Sequence, residues 1–379
     1  MADAEPSKSI VIIAGETSGD FHGAHLVRAM QERQEGLFFC GIGGERLQAA
    51  GVSLLMDLHQ LSVVGITEVA AKIPRVLSAV SAVKRALDRL QPDLVVLIDF
   101  PDFNLHIAKL AKKRGLPVLY YISPQIWAWR SGRIAKIRRY VDQMAVILPF
   151  EEEYYRSRDV AAIFVGHPLM DYYQDPAQQM PAPPAQEIVV GIMPGSRAGE
   201  IAKNLPVMLA AAIRIQAAVS GVRFRISVAP GIDRQWVNDL ARPYLKRGCM
   251  ELADGPVQDV FATSTLILAA SGTVTLETAI FGVPMIVIYR VSPVSYHLGR
   301  ALVSVEHIGL VNIIAGRRIV PELVQDAASP ASIAREAVSL LQDPERLSEI
   351  RRALSDVRRR LGSPGAADRC AAIACRMLQ

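Results

Sequence analysis

From Ser9 to Tyr289 short apolar runs alternate with stretches of helical periodicity, and that alternation leaves few folds open. Ser9–Ala14, Leu37–Cys40, Leu94–Ile98, Val118–Ile122, Met144–Leu148 and Ile163–Val165 each read as a buried strand, with helical segments between most of them. Strands that are apolar residue after residue are covered on both faces, which points to a parallel sheet flanked by helices. The apolar bulk is Val, Ile, Leu and Ala, with aromatics only 6%, which suits helices packed on such a sheet. The alternation then pauses. Pro176, Pro181, Pro183 and Pro184 fall among small and polar residues, so 171–187 reads as a linker. It restarts with strands at Ile188–Met193, Arg223–Val228, Leu266–Ala269 and Met285–Tyr289. At 379 residues the length suits two domains. The expected class is α/β: two Rossmann-like lobes over 1–170 and 188–330 with a cleft between them. A helical C-terminal segment over 331–379 is able to pack back on the first lobe.

Charge and cysteines narrow the function classes. A net charge of +5, with the basic residues spread out, argues against a dedicated nucleic-acid binder. It is compatible with phosphorylated substrates or an anionic membrane surface. Cys40, Cys249, Cys370 and Cys375 contain no C-x-x-C pair, so a reducing compartment is expected and a zinc site is not. The N-terminal MADAEPSKSI lacks the basic and apolar regions of a signal peptide. The apolar stretch Leu266–Tyr289 is interrupted by Gly272, Glu277, Gly282 and Pro284, which argues against a membrane span.

In open parallel sheets, ligands bind at the carboxyl ends of strands beside helix N-termini. Four loops so placed stand out. In Ala14–Asp20, Gly15 and Gly19 let the backbone approach a ligand, and Ser18 or Asp20 can cap the next helix; an ordinary strand-to-helix turn is the alternative. In Asp99–Asn104, Asp99 ends the strongest strand, where burial would raise its pKa and suit it to general-base work. Asp102 reads as a helix cap, and a magnesium ion shared by the two carboxylates is a further alternative. In Met193–Arg197, Gly195 and Ser196 open a helix and Arg197 adds a planar guanidinium, a combination suited to phosphate. In Ala270–Glu277, Ser271, Gly272 and Thr273 can cradle a pyrophosphate, and Glu277 can accept both ribose hydroxyls of a nucleotide. A turn with a surface arginine and a capped helix are the plainer readings of these last two. Gly41–Arg46 looks like a dinucleotide fingerprint, but Arg46 holds the third glycine position, so it reads as a turn. His22, His25, His167 and His307 are isolated and read as structural.

The strings AGETSGD at Ala14–Asp20, IDFPDFN at Ile98–Asn104, YISPQIWAWR at Tyr121–Arg130 and GHPLMD at Gly166–Asp171 go further. With PGSR at Pro194–Arg197, ASGTVTLE at Ala270–Glu277 and NIIAGRRIVPELVQ at Asn312–Gln325, their order and spacing resemble the lipid A disaccharide synthase family. SPQIWAWR is the most diagnostic of them. The resemblance implies the GT-B fold and an inverting glycosyl transfer in lipid A biosynthesis. UDP-2,3-diacylglucosamine is joined to 2,3-diacylglucosamine 1-phosphate, giving a β-1,6-linked disaccharide phosphate and UDP. It implies Asp99 as the catalytic carboxylate, Arg197 and Glu277 as residues serving UDP, and Asn312 as another active-site position. Gly15, Glu16, Ser18, Gly19 and Asp20 would contribute from the first lobe. Val311 stands where the family has a proline. No cofactor and no metal are expected. The two lipid substrates and transient contact with the cytoplasmic face of the inner membrane are the expected partners, a homodimer is left open, and nucleic acid is not expected. Rival readings are a UDP-GlcNAc 2-epimerase, another UDP-sugar transferase, or a nucleotide-sugar-binding protein without turnover. The candidate membrane element is Val63–Leu90, where Ile73, Val76, Leu77, Val80, Val83, Leu87 and Leu90 form a stripe beside Lys72, Arg75, Lys84, Arg85 and Arg89. Val63, Val64, Ile66 and Val69 extend it, with Trp127 and Trp129 as the second choice.

Overall fold

The computed structural model describes residues 8–58, 69–173, 187–245, 248–291 and 306–379. The chain divides into two compact units: residues up to Tyr172 together with Leu361–Gln379, and Tyr173–Arg360.

The first unit holds strands β1 (Lys8–Ala14), β2 (Leu37–Gly43), β3 (Ser53–Asp57), β4 (Leu94–Ile98), β5 (Val118–Tyr121), β6 (Gln143–Val146) and β7 (Ala162–Phe164). They form a seven-stranded sheet in the order β3-β2-β1-β4-β5-β6-β7, every pair parallel. Residues of β1 alternate between the two faces. Val11 and Ile13 join one core with Val95, Leu97 and Tyr120, while Ile10, Ile12 and Ala14 join the other with Val96, Ile98 and Tyr121. Both faces are covered, which is why the strand carries no polar alternation. Gly41 sits opposite Ile12 on β1, where a Cβ would lie 1.7 Å from the Ile12 carbonyl oxygen, so this turn-forming string also needs its glycine for strand packing.

The second unit repeats the plan. Strands β8 (Val189–Met193), β9 (Arg223–Ile226), β10 (Met250–Leu252), β11 (Leu266–Ala270), β12 (Met285–Tyr289) and β13 (Glu322–Val324) form a parallel sheet ordered β10-β9-β8-β11-β12-β13. In both units the strand order reverses beside the first strand, between β1 and β4 and between β8 and β11. A crevice opens at the carboxyl ends of strands at such a reversal. The loops Ala14–Asp20 and Asp99–Asn104 follow β1 and β4, and Met193–Arg197 and Ala270–Glu277 follow β8 and β11. Each unit thus brings its own pair of candidate loops together.

Sequence reading missed β3, β10 and β13. All three are sheet edges, and each is half exposed or only three residues long. An edge strand has one neighbour and less apolar cover, so its signal is weak.

The C-terminal helices divide between the units. Pro330–Leu341 and Pro344–Arg360 belong to the second, and Ala366–Met377 packs on the Thr17–Arg33 helix of the first. The GHPLMD string anchors that return. The His167 amide donates to the Leu361 carbonyl at 2.8 Å, and the Asp171 carboxylate accepts from the amides of Gly365 and Ala366, the latter at 3.1 Å. Most of the 171–187 linker, residues 174–186, lies outside the described residues.

The stripe proposed for membrane docking is mainly core. In the Val69–Leu90 helix, Val83 and Leu87 are fully buried, and Val76 and Val80 pack against the core of the first unit. Leu77 and Leu90 remain exposed, at 60% and 41%. The Val63, Val64 and Ile66 part of the element lies outside the described residues. Among the described residues no helix is long and apolar enough to cross a membrane.

Candidate active site

Asp99 follows β4 directly, at the strand-order reversal of the first unit. Asp99 and Phe100 both adopt the left-handed region, at φ 44° and 49°, which costs a non-glycine residue roughly 1 kcal/mol or more. Several groups hold this turn. The Asp99 amide donates to the Tyr121 carbonyl at 3.2 Å, and the Asp99 carbonyl accepts from the Tyr120 hydroxyl and Asn104 Nδ2, both at 2.6 Å. Gly15 lies against the Phe100 ring, where a Cβ would come within 2.3 Å of it. The loop after β1 and the loop after β4 are therefore fitted to each other. Burial pushes the Asp99 carboxyl up to about 6, the charge of Glu16 adds to this, and a bond from the Phe100 amide works the other way. A carboxyl so placed is half protonated near pH 6 and mostly ionised at neutral pH, the state a general base requires.

The other residues of the first loop take different tasks. Glu16 and Ser18 are exposed, and Glu16 stands at the N-cap of the Thr17–Arg33 helix. Gly19 packs on Ala14 and Ile98. The expectation that Ser18 or Asp20 caps that helix is corrected, because no side chain caps it. Asp20 is 4% exposed and its carboxylate accepts from the amides of Gly44, Arg46 and Leu47 at 2.6, 3.1 and 3.1 Å. It caps the neighbouring Glu45–Ala49 helix, and its ligand-contacting role gives way to a structural one. The magnesium alternative also loses its second ligand. The Asp102 carboxylate is held by Arg130, at 3.3 Å, and by Arg133.

Sequence reading gave no role to Glu151, which organises the SPQIWAWR string. Its carboxylate is 1% exposed and accepts from Ser123 Oγ at 2.5 Å, Trp127 Nε1 at 3.0 Å and the Leu148 amide at 3.0 Å. Burial pushes its pKa up to about 7 against those three bonds. With Ser123 and Trp127 tied inward, Trp129 is left 41% exposed. The spacing from Ser123 to Glu151 runs across β6, so nothing local in the sequence announces the contact.

The second unit presents a different surface. Gly195 adopts φ +127°, and Asn204 Nδ2 holds the Pro194 carbonyl at 3.1 Å. The 21-residue Ala198–Ala218 helix starts directly after Arg197. The Arg197 side chain is 76% exposed and donates to Glu200 Oε1 at 2.9 Å, while the Ser196 amide donates to Glu200 Oε2 at 3.3 Å. A carboxylate thus sits on the two groups expected to take a phosphate, so the site suits an anion. In the adjoining loop Gly272 and Thr273 are exposed, and among the described residues nothing beyond its chain neighbours lies within 4 Å of where a Gly272 Cβ would be. Ser271 Oγ donates to the Ile308 carbonyl at 3.3 Å. Glu277 accepts from the Tyr173 hydroxyl at 3.0 Å, and burial raises its pKa while that bond lowers it. Asn312 does not reach for a ligand. It is fully buried, its Nδ2 donates to the Val320 carbonyl and Glu322 Oε1, and its Oδ1 accepts from the amides of Ile319 and Val320. Glu322 in turn accepts from the amides of Ile308 and Gly309, so this network fixes the segment to which Ser271 is tied.

Comparison with known proteins identifies the family of the chain as a whole. A family model described as lipid-A-disaccharide synthetase matches residues 10–375. The lipid-A-disaccharide synthase of Syntrophus aciditrophicus is 47% identical over 378 residues, covering 98% of each chain. That of Geobacter metallireducens is 44% identical over 380 residues, again covering 98% of each. Among solved structures, a glycosyltransferase of calicheamicin has a TM-score of 0.63 at 17% identity, covering 98% of each chain. MurG of Acinetobacter baumannii has a TM-score of 0.60 at 13% identity, covering 97% of this chain and 99% of its own. A protein from Listeria monocytogenes described as a putative UDP-N-acetylglucosamine 2-epimerase has a TM-score of 0.62 at 14% identity, covering 97% and 94%. At such identities these structures establish a shared GT-B architecture of two parallel α/β units.

Proposed function

The chain belongs to the lipid-A-disaccharide synthase family, and from that premise we propose that it is an inverting glycosyltransferase joining UDP-2,3-diacylglucosamine to 2,3-diacylglucosamine 1-phosphate. The observation that carries the chemistry is Asp99: a desolvated carboxyl with a raised pKa, fixed by a strained turn at the carboxyl end of β4. Asp99 takes the proton of the acceptor 6-hydroxyl as that oxygen attacks the anomeric carbon. The bond from that carbon to the UDP oxygen breaks, UDP departs with the electron pair, and attack from the far face turns the α-linked donor into a β product. Arg197, Ser196 and the Ser271–Thr273 turn hold the pyrophosphate and stabilise its growing charge, and Glu277 takes the ribose hydroxyls. One positioned base contributes ~10²–10⁴-fold in rate. Acylated substrates place the enzyme in transient contact with a membrane, at the cytoplasmic face of the inner membrane.

UDP release, followed with and without the acylated acceptor, tests this reading. Release that depends on both acylated partners, with a disaccharide phosphate as product, is expected. Conversion of plain UDP-GlcNAc to an epimer, or tight UDP-sugar binding with no release, would overturn it in favour of an epimerase or a binding protein.

Arg197 supplies a second test. Because its guanidinium already donates to Glu200 Oε1, donor phosphate must take over that contact. Arg197→Ala is expected to raise the donor KM by ~10-fold or more, with Arg197→Lys intermediate, since lysine keeps the charge but loses the planar fork. Equal and mild effects of both would make Arg197 a surface residue paired with Glu200 and nothing more.

A further inference from the structure

The string that best marks the family, SPQIWAWR, ends in a cluster that the reaction as described leaves unused. Trp129 is exposed, and the guanidiniums of Arg130 and Arg133 lie over its ring at 4.7 and 5.7 Å from the centroid. Both arginines reach the same carboxylate, that of Asp102, in the first turn of the Pro101–Lys112 helix. One negative charge is thus shared by two positive ones, and the cluster keeps a net charge of +1. Gly132 lies between the arginines, and among the described residues nothing beyond its chain neighbours lies within 4 Å of where a Cβ would be. The backbone is set for this display: Arg130 takes φ 57°, and the buried Glu151 pins Ser123 and Trp127 behind it.

The cluster is next to the base. Asp102 lies three residues after Asp99. Tyr120, whose hydroxyl donates to the Asp99 carbonyl, connects the two sides: burial holds its phenol far above the ordinary range, Asp99 adds to this, and Arg133 opposes it. Arg133 also bonds Asp102, in the first turn of the helix that starts directly after the Asp99–Phe100 turn. Its side chain is 10% exposed, against 49% for Arg130, so one guanidinium is largely buried and the other is open to solvent.

An acceptor that presents a hydroxyl at one end of a pyranose ring and a phosphate at the other needs this pairing of groups. It requires a base and, one sugar away, a cationic fork that a phosphate can bridge. We propose that Arg130 and Arg133, preset by Asp102 and Trp129, bind the phosphomonoester of the acceptor sugar and so orient its 6-hydroxyl on Asp99. This rests on the transferase reading above and names a subsite within it. Asp102 is here a positioning residue: it holds the two guanidiniums on one carboxylate until the phosphate enters.

The test compares 2,3-diacylglucosamine 1-phosphate with the same acceptor lacking its phosphate, at fixed donor. The wild type is expected to favour the phosphorylated acceptor by ~10²-fold in kcat/KM, from two charge-assisted contacts of ~10-fold each. The double variant Arg130→Ala, Arg133→Ala should fall to within about 3-fold between the two acceptors while the donor KM stays unchanged. Arg130→Ala alone, at the more exposed of the two, and Arg133→Lys should each keep part of the preference, and they serve if the double variant does not fold. Glucosamine 1-phosphate, which has no acyl chains, should compete with the acceptor in the wild type and not in the double variant. A variant that keeps the full preference overturns the proposal, as does a wild type that turns over both acceptors equally. Loss of binding to phosphatidylglycerol vesicles with the acceptor preference intact also overturns it, and makes the cluster a membrane contact. No UDP release by the wild type with either acceptor is a different failure, that of the transferase reading itself.

Discussion

Asp99→Asn is expected to lower turnover by at least ~10²-fold while UDP binding stays near the wild-type value. Asparagine keeps the shape and the strained turn, since the contacts holding residue 99 are made by its backbone amide and carbonyl. What is lost is the lone pair that accepts the proton. Near-normal turnover would remove Asp99 from the mechanism. The same substitution should raise stability. The folded pKa of about 6 lies above the ordinary 3.8, so between these values the folded state holds the proton more tightly than the unfolded chain. Stability therefore falls as pH rises through that window, and the penalty is complete above pH 6. At roughly 1.4 kcal/mol per pH unit it amounts to at most about 3 kcal/mol. Asparagine never ionises, so the variant should melt higher than the wild type at pH 7–8 and no differently below about pH 4. A carboxylate that weakens its own fold in this way is the kind of strain expected of a functional site. In the wild type kcat/KM should climb with pH to a plateau above about 6. Glu16→Gln should move that limb downward by removing the neighbouring charge.

Asn312→Asp is expected to destabilise the second unit by about 3–5 kcal/mol, read from urea unfolding. The reason is the direction of the hydrogen bonds. Asn312 Nδ2 donates to the Val320 carbonyl at 3.0 Å and to Glu322 Oε1 at 2.7 Å, while Oδ1 accepts from two amides. All the capacity of the amide is used inside the protein. Aspartate is nearly the same size but puts an oxygen against a carbonyl and a second carboxylate, in a site with no exposure to water. The Ile308–Gly309 segment gripped by Glu322, and with it the tie to Ser271, should loosen, so weaker UDP binding is expected to follow the loss of stability. Normal stability with only a changed KM would return Asn312 to the role of a direct substrate contact.

The sequence alone was enough for the two-sheet plan. Strands such as Leu94–Ile98 are buried on both faces and advertise themselves as unbroken apolar runs, and glycine, serine and acid signals after them mark where helices begin. Four candidate loops could be picked out because strand ends are local features, and the strand orders then put those loops beside β1, β4, β8 and β11. The burial of Asp99 at the end of a strand was legible for the same reason. What the sequence could not decide is which partner a polar side chain meets. Asp20 looked like a ligand contact or a cap for its own helix, but its carboxylate closes the helix after β2, because strands β1 and β2 are neighbours. Asn312 sits within a family string, yet its bonds all run to residues seven to ten positions away. The apolar stripe at Val76–Leu87 gives the same periodicity whether it faces lipid or a sheet, and only packing shows that Val83 and Leu87 are core. The last helix carries no mark of which unit it joins. That was decided by Asp171 capping its first turn and by the Arg369 guanidinium on the Val165 carbonyl, contacts between residues about two hundred positions apart in the chain. Local pattern sets which elements form and which chemistry they can offer. Long-range pairing of buried polar groups, which must find partners wherever the fold brings them, sets which of those groups remain free to act.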